Sequence, residues 1–176
     1  MSHLFPTYQR WDVEPVIASG SKIIDKAGKE YLDLTSWIGV CNLGHCHPKV
    51  KEAVEEQLEQ FWHLSNLFIQ EGQENAAGML AKAAEMDVVF FANSGAEANE
   101  AAIKLAKKAT NRDKLISFEQ SFHGRTYATM SATGQEKVKK GFGSMLPTFI
   151  TVPFNDIEAL QKEMNDGVAA IMLEVV

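Results

Sequence analysis

The sequence has few cysteines, no long hydrophobic run and no recognisable leader. Cys41 and Cys46 are its only cysteines in 176 residues, a frequency that suits a reducing cytosol better than a disulfide-stabilised scaffold. The apolar run 167–176 is interrupted by Glu174 and is too short to span a bilayer. The amino terminus lacks a cationic start followed by an apolar segment, so no signal peptide is predicted. We therefore expect a cytoplasmic protein with no membrane partner.

Positive charge is also in deficit. Lysine and arginine total 17 against 23 acidic residues, which gives a net charge of −6. Because no basic stripe is present, we expect no nucleic-acid partner. The two common glycine-rich phosphate motifs, G-x-x-x-x-G-K-[ST] and G-x-G-x-x-G, are absent as well. What is present is 45% hydrophobic content in a chain long enough for one domain, or one and a part.

The first 70 residues differ in pattern from the remainder. Short strands are predicted at 16–18, 22–24 and 29–34, with a hairpin turn at 25–28 between the last two. Loop residues follow. Pro48 then opens a helix predicted to end near His63, since proline is tolerated in a first turn. This helix carries its apolar residues on one face.

From residue 73 onward, helices and strands are predicted to alternate. The helices are expected at 73–84, 95–110, 126–133 and 156–164, and the strands at 87–92, 114–118, 148–152 and from 167. The apolar runs VVFFA and VAAIML are continuous, which is typical of strands covered on both faces. Alternation of this kind predicts an α/β fold with an open parallel sheet. Ligands of such sheets bind beyond the carboxyl ends of the strands.

The stretch Asn93-Ser94-Gly95 joins a predicted strand to a predicted helix with almost no loop between them. Ser94 and Glu97 have the spacing of a capping box, so we expect Glu97 to turn back toward Ser94. The free N–H groups and the dipole of the first turn favour an anion such as phosphate, and Gly95 permits its close approach. The alternative is a well-capped helix without a ligand.

The stretch SFHGRT, Ser121–Thr126, follows the next predicted strand and is expected at the same edge of the sheet. Phe122 offers a flat apolar face to an aromatic ligand. Arg125 offers a planar fork that matches a carboxylate. The alternative is a core phenylalanine beside a surface arginine.

Two further features leave alternatives open. His45, Cys46 and His47 resemble a metal cluster, but adjacent residues rarely all reach one ion, so a structured turn is favoured and no metal site is predicted. Glu174 lies within an apolar run, where a buried carboxylate needs a partner. It is either structural or directed at the strand-end site with a shifted pKa.

Several motifs together resemble class III, fold-type I aminotransferases, which use pyridoxal 5′-phosphate (PLP). They are FPTYQRW, GKEYLDL, NLGHCHPKV, NSGAEANEAAIKLA, SFHGRT and IMLEVV, they follow the family order, and they cover essentially the whole chain. The resemblance implies that residues 71–176 are the first part of a large three-layer αβα PLP-binding domain. It implies that residues 1–70 form a small α+β segment contributing to a small domain and a dimer interface.

The resemblance also implies roles for particular residues. Gly95 and Ala96 would hold the cofactor phosphate through backbone N–H groups, Phe122 would stack on the pyridine ring, and Arg125 would bind the substrate α-carboxylate. Many members have threonine at the position of Ala96, so a side-chain hydroxyl is lost here. The family's Schiff-base lysine lies beyond residue 176. We therefore expect that this chain is a fragment and contains no catalytic residue. We also expect that residues 1–176 alone do not catalyse transamination.

The activity implied by the resemblance is transfer of an amino group from N-acetylornithine to 2-oxoglutarate, in arginine biosynthesis, by a cytoplasmic homodimer. Ornithine and 4-aminobutyrate are the alternative amino donors. A hypothesis of another class is a truncated, non-catalytic module that retains only a phosphate-binding corner.

Overall fold

The computed structural model describes residues 3–175, except for the side chain of Trp37. Val176, the last residue of the final predicted strand, lies outside the described residues. The chain divides into two units between Gln70 and Glu71, and each unit is described by itself.

The first unit contains an antiparallel sheet of three short strands. These are β1 (Pro15–Ser19), β2 (Lys22–Asp25) and β3 (Glu30–Leu32), in that spatial order. The predicted hairpin turn joins β2 to β3. The Asp25 carboxylate accepts hydrogen bonds of 2.9 Å from the N–H groups of Ala27 and Lys29, and the bond from Lys29 is the main cause of its lowered pKa. The three predicted strands and their turn are confirmed.

Two helices complete the first unit: α1 (Ser36–Gly39) and α2 (Pro48–Leu58). The helix α1 was not predicted. It follows Asp33, whose carboxylate accepts the N–H groups of Thr35 and Ser36 and so shapes the turn that starts it. The helix α2 begins at the predicted proline but ends at Leu58 rather than near His63, because the chain turns there and the Trp62 indole caps the Leu58 carbonyl.

The second unit alternates helices with strands. Its elements are α3 (Glu71–Ala84), α4 (Gly95–Thr110), β4 (Lys114–Phe118), α5 (Tyr127–Ala132), α6 (Glu136–Lys139), β5 (Phe149–Val152), α7 (Ile157–Glu163) and β6 (Val168–Ile171). The short helix α6 was not predicted. The last strand was predicted to run from 167 through Glu174, but it ends at Ile171. The remaining elements in this list lie close to their predicted bounds. The sheet order is β5-β4-β6, with both pairings parallel. The predicted parallel α/β sheet is confirmed.

The central strand β4 forms the core of this unit. Leu115, Ile116 and Phe118 are buried along it, and Ile116 and Phe118 pack with Val152 of β5 and Val168 of β6. Since β4 has a partner on each side, its carboxyl end is held firmly, and the turn that follows it starts from a fixed point.

One predicted strand is wrong. Residues 87–92 form no strand and pair with no strand in the described part of the chain. Val88 and Phe90 are 84% and 73% exposed, so their apolar side chains are not covered by neighbours in this structure. The apolar run indicated side chains suited to a buried strand, but a strand also needs a hydrogen-bonded neighbour, and β4 is paired with β5 on one side and β6 on the other.

Candidate functional site

The amino end of α4 is capped as the sequence predicts. Ser94 is extended, at φ −155° and ψ 160°, and its hydroxyl accepts the Glu97 N–H at 3.2 Å. The Glu97 carboxylate turns back and accepts the Asn93 N–H at 2.7 Å, one residue before the position of an ideal capping box. The carboxylate is thereby engaged outside the helix, so it does not occupy the amino end.

The first residues of α4 are open. The N–H groups of Gly95 and Ala96 belong to a helical first turn, where no carbonyl of the same helix can accept them. Gly95 is exposed, and a Cβ added to it would meet no atom within 4 Å. This corner therefore has the donors and the space that a phosphate group needs.

The turn 121–126 is held by buried hydrogen bonds. The Ser121 hydroxyl donates to the Phe118 carbonyl at 2.6 Å, and the His123 N–H donates to the Thr133 hydroxyl at 3.0 Å. These bonds fix the backbone directly after β4. The side chains of the turn are therefore presented from a rigid segment.

Phe122 and Arg125 lie beside each other on the exposed side of this turn. The Phe122 ring is 41% exposed, so it is not the core phenylalanine of the alternative interpretation. The Arg125 guanidinium carbon lies 5.5 Å from the ring centroid, within the range of a cation–π contact. One aromatic face and one planar cation thus stand together at the surface.

The turn packs directly onto the first turn of α4. Gly124 has φ +135°, and a Cβ added there would lie 2.9 Å from the Ala96 Cβ and 2.5 Å from the Thr129 hydroxyl oxygen. No larger residue fits without displacing one of these neighbours. The structure therefore brings the two candidate regions together through Gly124 and Ala96, although residues 87–92 supply no strand pairing to join them.

Side-chain bonds from α4 also reach the turn. The Asn99 amide donates to the His123 carbonyl at 2.8 Å, and the Thr126 hydroxyl donates to the Glu100 carboxylate at 2.5 Å. Sequence reasoning missed Asn99 and Glu100. Their signal is weak, because a polar residue one turn into a helix is ordinarily part of a solvated face.

His123 was also missed, although it lies inside the SFHGRT motif. Its side chain is 6% exposed, and its Nε2 is buried without a hydrogen-bond partner in the described residues. Burial lowers the pKa of this imidazole, while the nearby charge of Glu174 opposes that shift. The ring is thus kept neutral over more of the acidic range than a free histidine.

Glu174 lies at the strand-end site. The strand β6 ends at Ile171, so Glu174 is beyond it and exposed. Its carboxylate accepts the Phe122 N–H at 3.2 Å. Glu174 also lines a cleft at the carboxyl ends of β4 and β5, with Phe118, Glu119, Gln120, Ser121, Pro153 and Phe154. Of the two interpretations left open, the structure supports contact with the site.

The His45-Cys46-His47 segment forms a structured turn in the first unit, as favoured. His45 exchanges backbone hydrogen bonds with Gly20 at 2.8 and 2.9 Å, and its Nε2 lies 2.8 Å from the Asp33 carboxylate. The Thr35 hydroxyl and His45 lower the pKa of Asp33 to about 2. Across residues 3–175 there is no group of three or more side chains placed to hold a metal ion.

No helix in the described part of the chain is both long enough and apolar enough to cross a bilayer.

Comparison with known proteins decides the family. The model of the family described as Aminotransferase class-III matches residues 7–176. The chain belongs to this family. The class-III match spans both units, so the resemblance of the motifs to class III aminotransferases is confirmed.

Two curated relatives of this class-III chain are named acetylornithine aminotransferase. The acetylornithine aminotransferase of Halalkalibacterium halodurans is 63% identical over 176 residues, which are 100% of this chain and 46% of the relative. The acetylornithine aminotransferase of Bacillus subtilis is 56% identical over 177 residues, again 100% of this chain and 46% of the relative. The chain therefore spans about half the length of the curated relatives it matches.

Solved structures show the same fold. An ornithine aminotransferase from Toxoplasma gondii superposes with a TM-score of 0.93 at 27% identity, covering 99% of this chain and 43% of that one. A taurine:2-oxoglutarate aminotransferase from Bifidobacterium kashiwanohense, in complex with PLP and glutamate, gives 0.89 at 28% identity, covering 98% and 45%. The predicted α/β fold of type I aminotransferases is confirmed.

Proposed function

We propose that the protein is a PLP-dependent aminotransferase that moves an amino group from N-acetylornithine to 2-oxoglutarate, in arginine biosynthesis. Relatives with the corresponding name are 63% and 56% identical to this chain. Because the chain spans about half of their length, the activity is proposed for the whole protein that carries these residues.

The observation that carries the proposal is the packing of Gly124 against Ala96. It sets an open helix amino end beside an exposed aromatic ring and a guanidinium. The helix amino end suits a phosphate, the aromatic ring suits a pyridine ring, and the guanidinium suits a substrate carboxylate. PLP and an amino-acid substrate together present all three groups.

The residues present fit the cofactor. We assign the N–H groups of Gly95 and Ala96 to its phosphate and the face of Phe122 to its ring. A Cβ added to Gly95 would meet no atom within 4 Å, and the Glu97 carboxylate is hydrogen-bonded to the Asn93 N–H at 2.7 Å. Ala96 contributes only a backbone donor.

Arg125 is assigned to the α-carboxylate of the substrate. Its charge is permanent and its fork is planar, so it can bind both oxygens of a carboxylate together. Both the amino donor and 2-oxoglutarate carry such a carboxylate, which means that one arginine serves both halves of the reaction.

When bound, PLP takes up the amino group of the donor and passes it to the acceptor. The residues of this chain bind and orient. The phosphate corner fixes one end of the cofactor, Phe122 fixes the plane of its ring, and Arg125 fixes the direction of the substrate. The family resemblance implies that the Schiff-base lysine lies beyond residue 176. A homodimer in the cytoplasm is proposed on the same resemblance.

The test uses the intact protein with added PLP. Binding is followed by fluorescence quenching, and initial rates are measured with 2-oxoglutarate and each of N-acetylornithine, ornithine and 4-aminobutyrate. We expect the highest kcat/KM with N-acetylornithine. A clear preference for ornithine or 4-aminobutyrate would reassign the donor, and PLP binding without transamination of any donor would favour the non-catalytic module.

A further inference from the structure

We propose that Asn99 and Glu100 of α4 are positioning residues that hold the turn 121–126 against the helix whose amino end takes the phosphate. The inference rests on the proposed function, since its consequence is measured on PLP and on substrate. It assigns a role to two side chains that contact neither.

Asn99 holds the peptide between His123 and Gly124. Its amide donates to the His123 carbonyl at 2.8 Å, and the pair is partly buried. A backbone carbonyl in such a place needs a donor, because leaving it unpaired costs more than the bond itself contributes. The bond therefore fixes the orientation of the peptide between His123 and Gly124, directly after the residue that follows Phe122.

Glu100 holds the other end of the same turn. Its carboxylate accepts the Thr126 hydroxyl at 2.5 Å, and Thr126 follows Arg125 and occupies the position directly before α5. A hydrogen bond to a charged group is stronger than one between neutral groups. The bonds at His123 and Thr126 thus bracket Gly124 and Arg125 from the same helix.

The spacing along α4 explains why one helix performs both tasks. Asn99 and Glu100 lie three and four residues after Ala96, so they share its face of the helix. Ala96 packs so closely on Gly124 that a Cβ added to Gly124 would lie 2.9 Å from the Ala96 Cβ. One helical turn further on, Asn99 and Glu100 bond to the same turn of the chain. A shift of α4 would therefore move the phosphate corner and the turn together.

The experiment compares variants of the intact protein by PLP affinity, steady-state kinetics and unfolding midpoint. Loss of a hydrogen bond to a partly buried carbonyl corresponds to about a tenfold change in an equilibrium constant. We expect Asn99→Ala to weaken PLP binding about tenfold and to raise KM for both substrates by a similar factor, with a smaller change in kcat.

Two control variants separate positioning from stability. Ile150→Val trims a partly buried residue beside the β4–β5 core and lowers the unfolding midpoint without touching the turn. Lys104→Ala changes an exposed residue of α4. Neither is expected to change the affinity for PLP.

The Glu100 bond is tested by a double-mutant cycle, which also serves if Asn99→Ala fails to fold. Glu100→Ala and Thr126→Val should each weaken PLP binding, because both remove the bond between Thr126 and Glu100. Thr126→Val also removes the contact between the Thr126 and Thr129 hydroxyls, which lie 2.7 Å apart. The double variant should therefore bind PLP no more weakly than Thr126→Val alone. Unchanged PLP affinity in Asn99→Ala, Glu100→Ala and Thr126→Val, with a wild type that binds PLP, would overturn this inference alone. If Ile150→Val lost as much PLP affinity as these variants, the effect would be one of stability and not of positioning, and the inference would be overturned. A wild type that binds no PLP would overturn the proposed function as well.

Discussion

Two junctions from apolar segment to helix carry the candidate site, and they are supported in different ways. The turn 121–126 follows β4, a strand with a parallel partner on each side. The corner 93–95 follows residues 87–92, which pair with no strand among residues 3–175. Both junctions nevertheless have definite local geometry.

The difference shows that a helix cap and a sheet edge are separate sources of order. The corner is set by hydrogen bonds among Asn93, Ser94 and Glu97, all within five residues, so it forms without help from a sheet. The turn depends on contacts from distant segments, including Asn99, Thr133 and Glu174. We therefore expect substitutions in the turn to have larger effects than substitutions in the corner.

The largest expected effect comes from Gly124→Ala. The new Cβ would overlap Ala96 and Thr129, and φ +135° is rarely adopted by residues with a side chain, so the variant should lose about 3 kcal/mol of unfolding free energy. Urea unfolding of the intact protein measures this loss.

The control for this prediction is Gly78→Ala. Gly78 lies inside α3, and a Cβ there would meet nothing within 4 Å, so the variant should gain roughly 0.5–1 kcal/mol. If Gly124→Ala proved as stable as Gly78→Ala, the tight contact between the turn and α4 would be wrong.

The next effect is functional. Arg125→Lys keeps a positive charge but loses the planar fork, and charge-assisted bonds contribute about 1.5–3 kcal/mol. We expect kcat/KM to fall about tenfold or more for N-acetylornithine and for 2-oxoglutarate alike. Unaltered kinetics with both substrates would remove Arg125 from the site.

A smaller effect is expected at the corner. Ser94→Ala removes the hydroxyl that accepts the Glu97 N–H and should cost about 1 kcal/mol of unfolding free energy. Asp156→Ala is the matched control, because Asp156 caps α7 in the same way, by accepting the Ala159 N–H at 2.9 Å. Both variants should lose similar stability, but weaker PLP binding is expected only from Ser94→Ala. If Ser94→Ala and Asp156→Ala bound PLP equally well, the Ser94 cap would have no part in phosphate binding.

The smallest effect is a dependence of stability on pH. Burial lowers the pKa of His123 below its ordinary value of 6.5, so the unfolded chain binds more protons than the folded chain just below that pH. This contribution to stability is therefore present above pH 6.5 and is lost as pH falls from there through the lowered pKa of the folded state.

His123→Gln should flatten that part of the stability curve. The measurement is urea unfolding of both proteins at several pH values below neutrality. An identical slope for the variant would mean that another group is responsible for it.

The sequence predicted the features that depend on neighbours along the chain. The Ser94–Glu97 cap, the turn at 25–28 and the helix 95–110 need only local residues, and all are confirmed. Strand 87–92 was predicted from its apolar side chains and is wrong, since pairing is decided by other segments.

The site shows the same division. The motifs identified the locations of Phe122 and Arg125, and the family is confirmed, while the binding roles of these residues stay predictions. The support given by Asn99 and Glu100 could not be predicted, because those side chains bond to residues more than twenty positions away.

The order of the parallel sheet also affects how the chain acquires its structure. In the hairpin of the first unit, Ala18 pairs with Ile23, so a short loop closes and formation takes microseconds. In the second unit, Leu115 pairs with Phe149 and Lys114 with Val168, so segments far apart in the sequence must meet before the ladders form. Such non-local pairing slows folding. During synthesis, β4 leaves the ribosome before its partners β5 and β6, so its apolar residues stay exposed until those strands are made. We expect chaperones to bind β4 in that interval rather than the hairpin of the first unit.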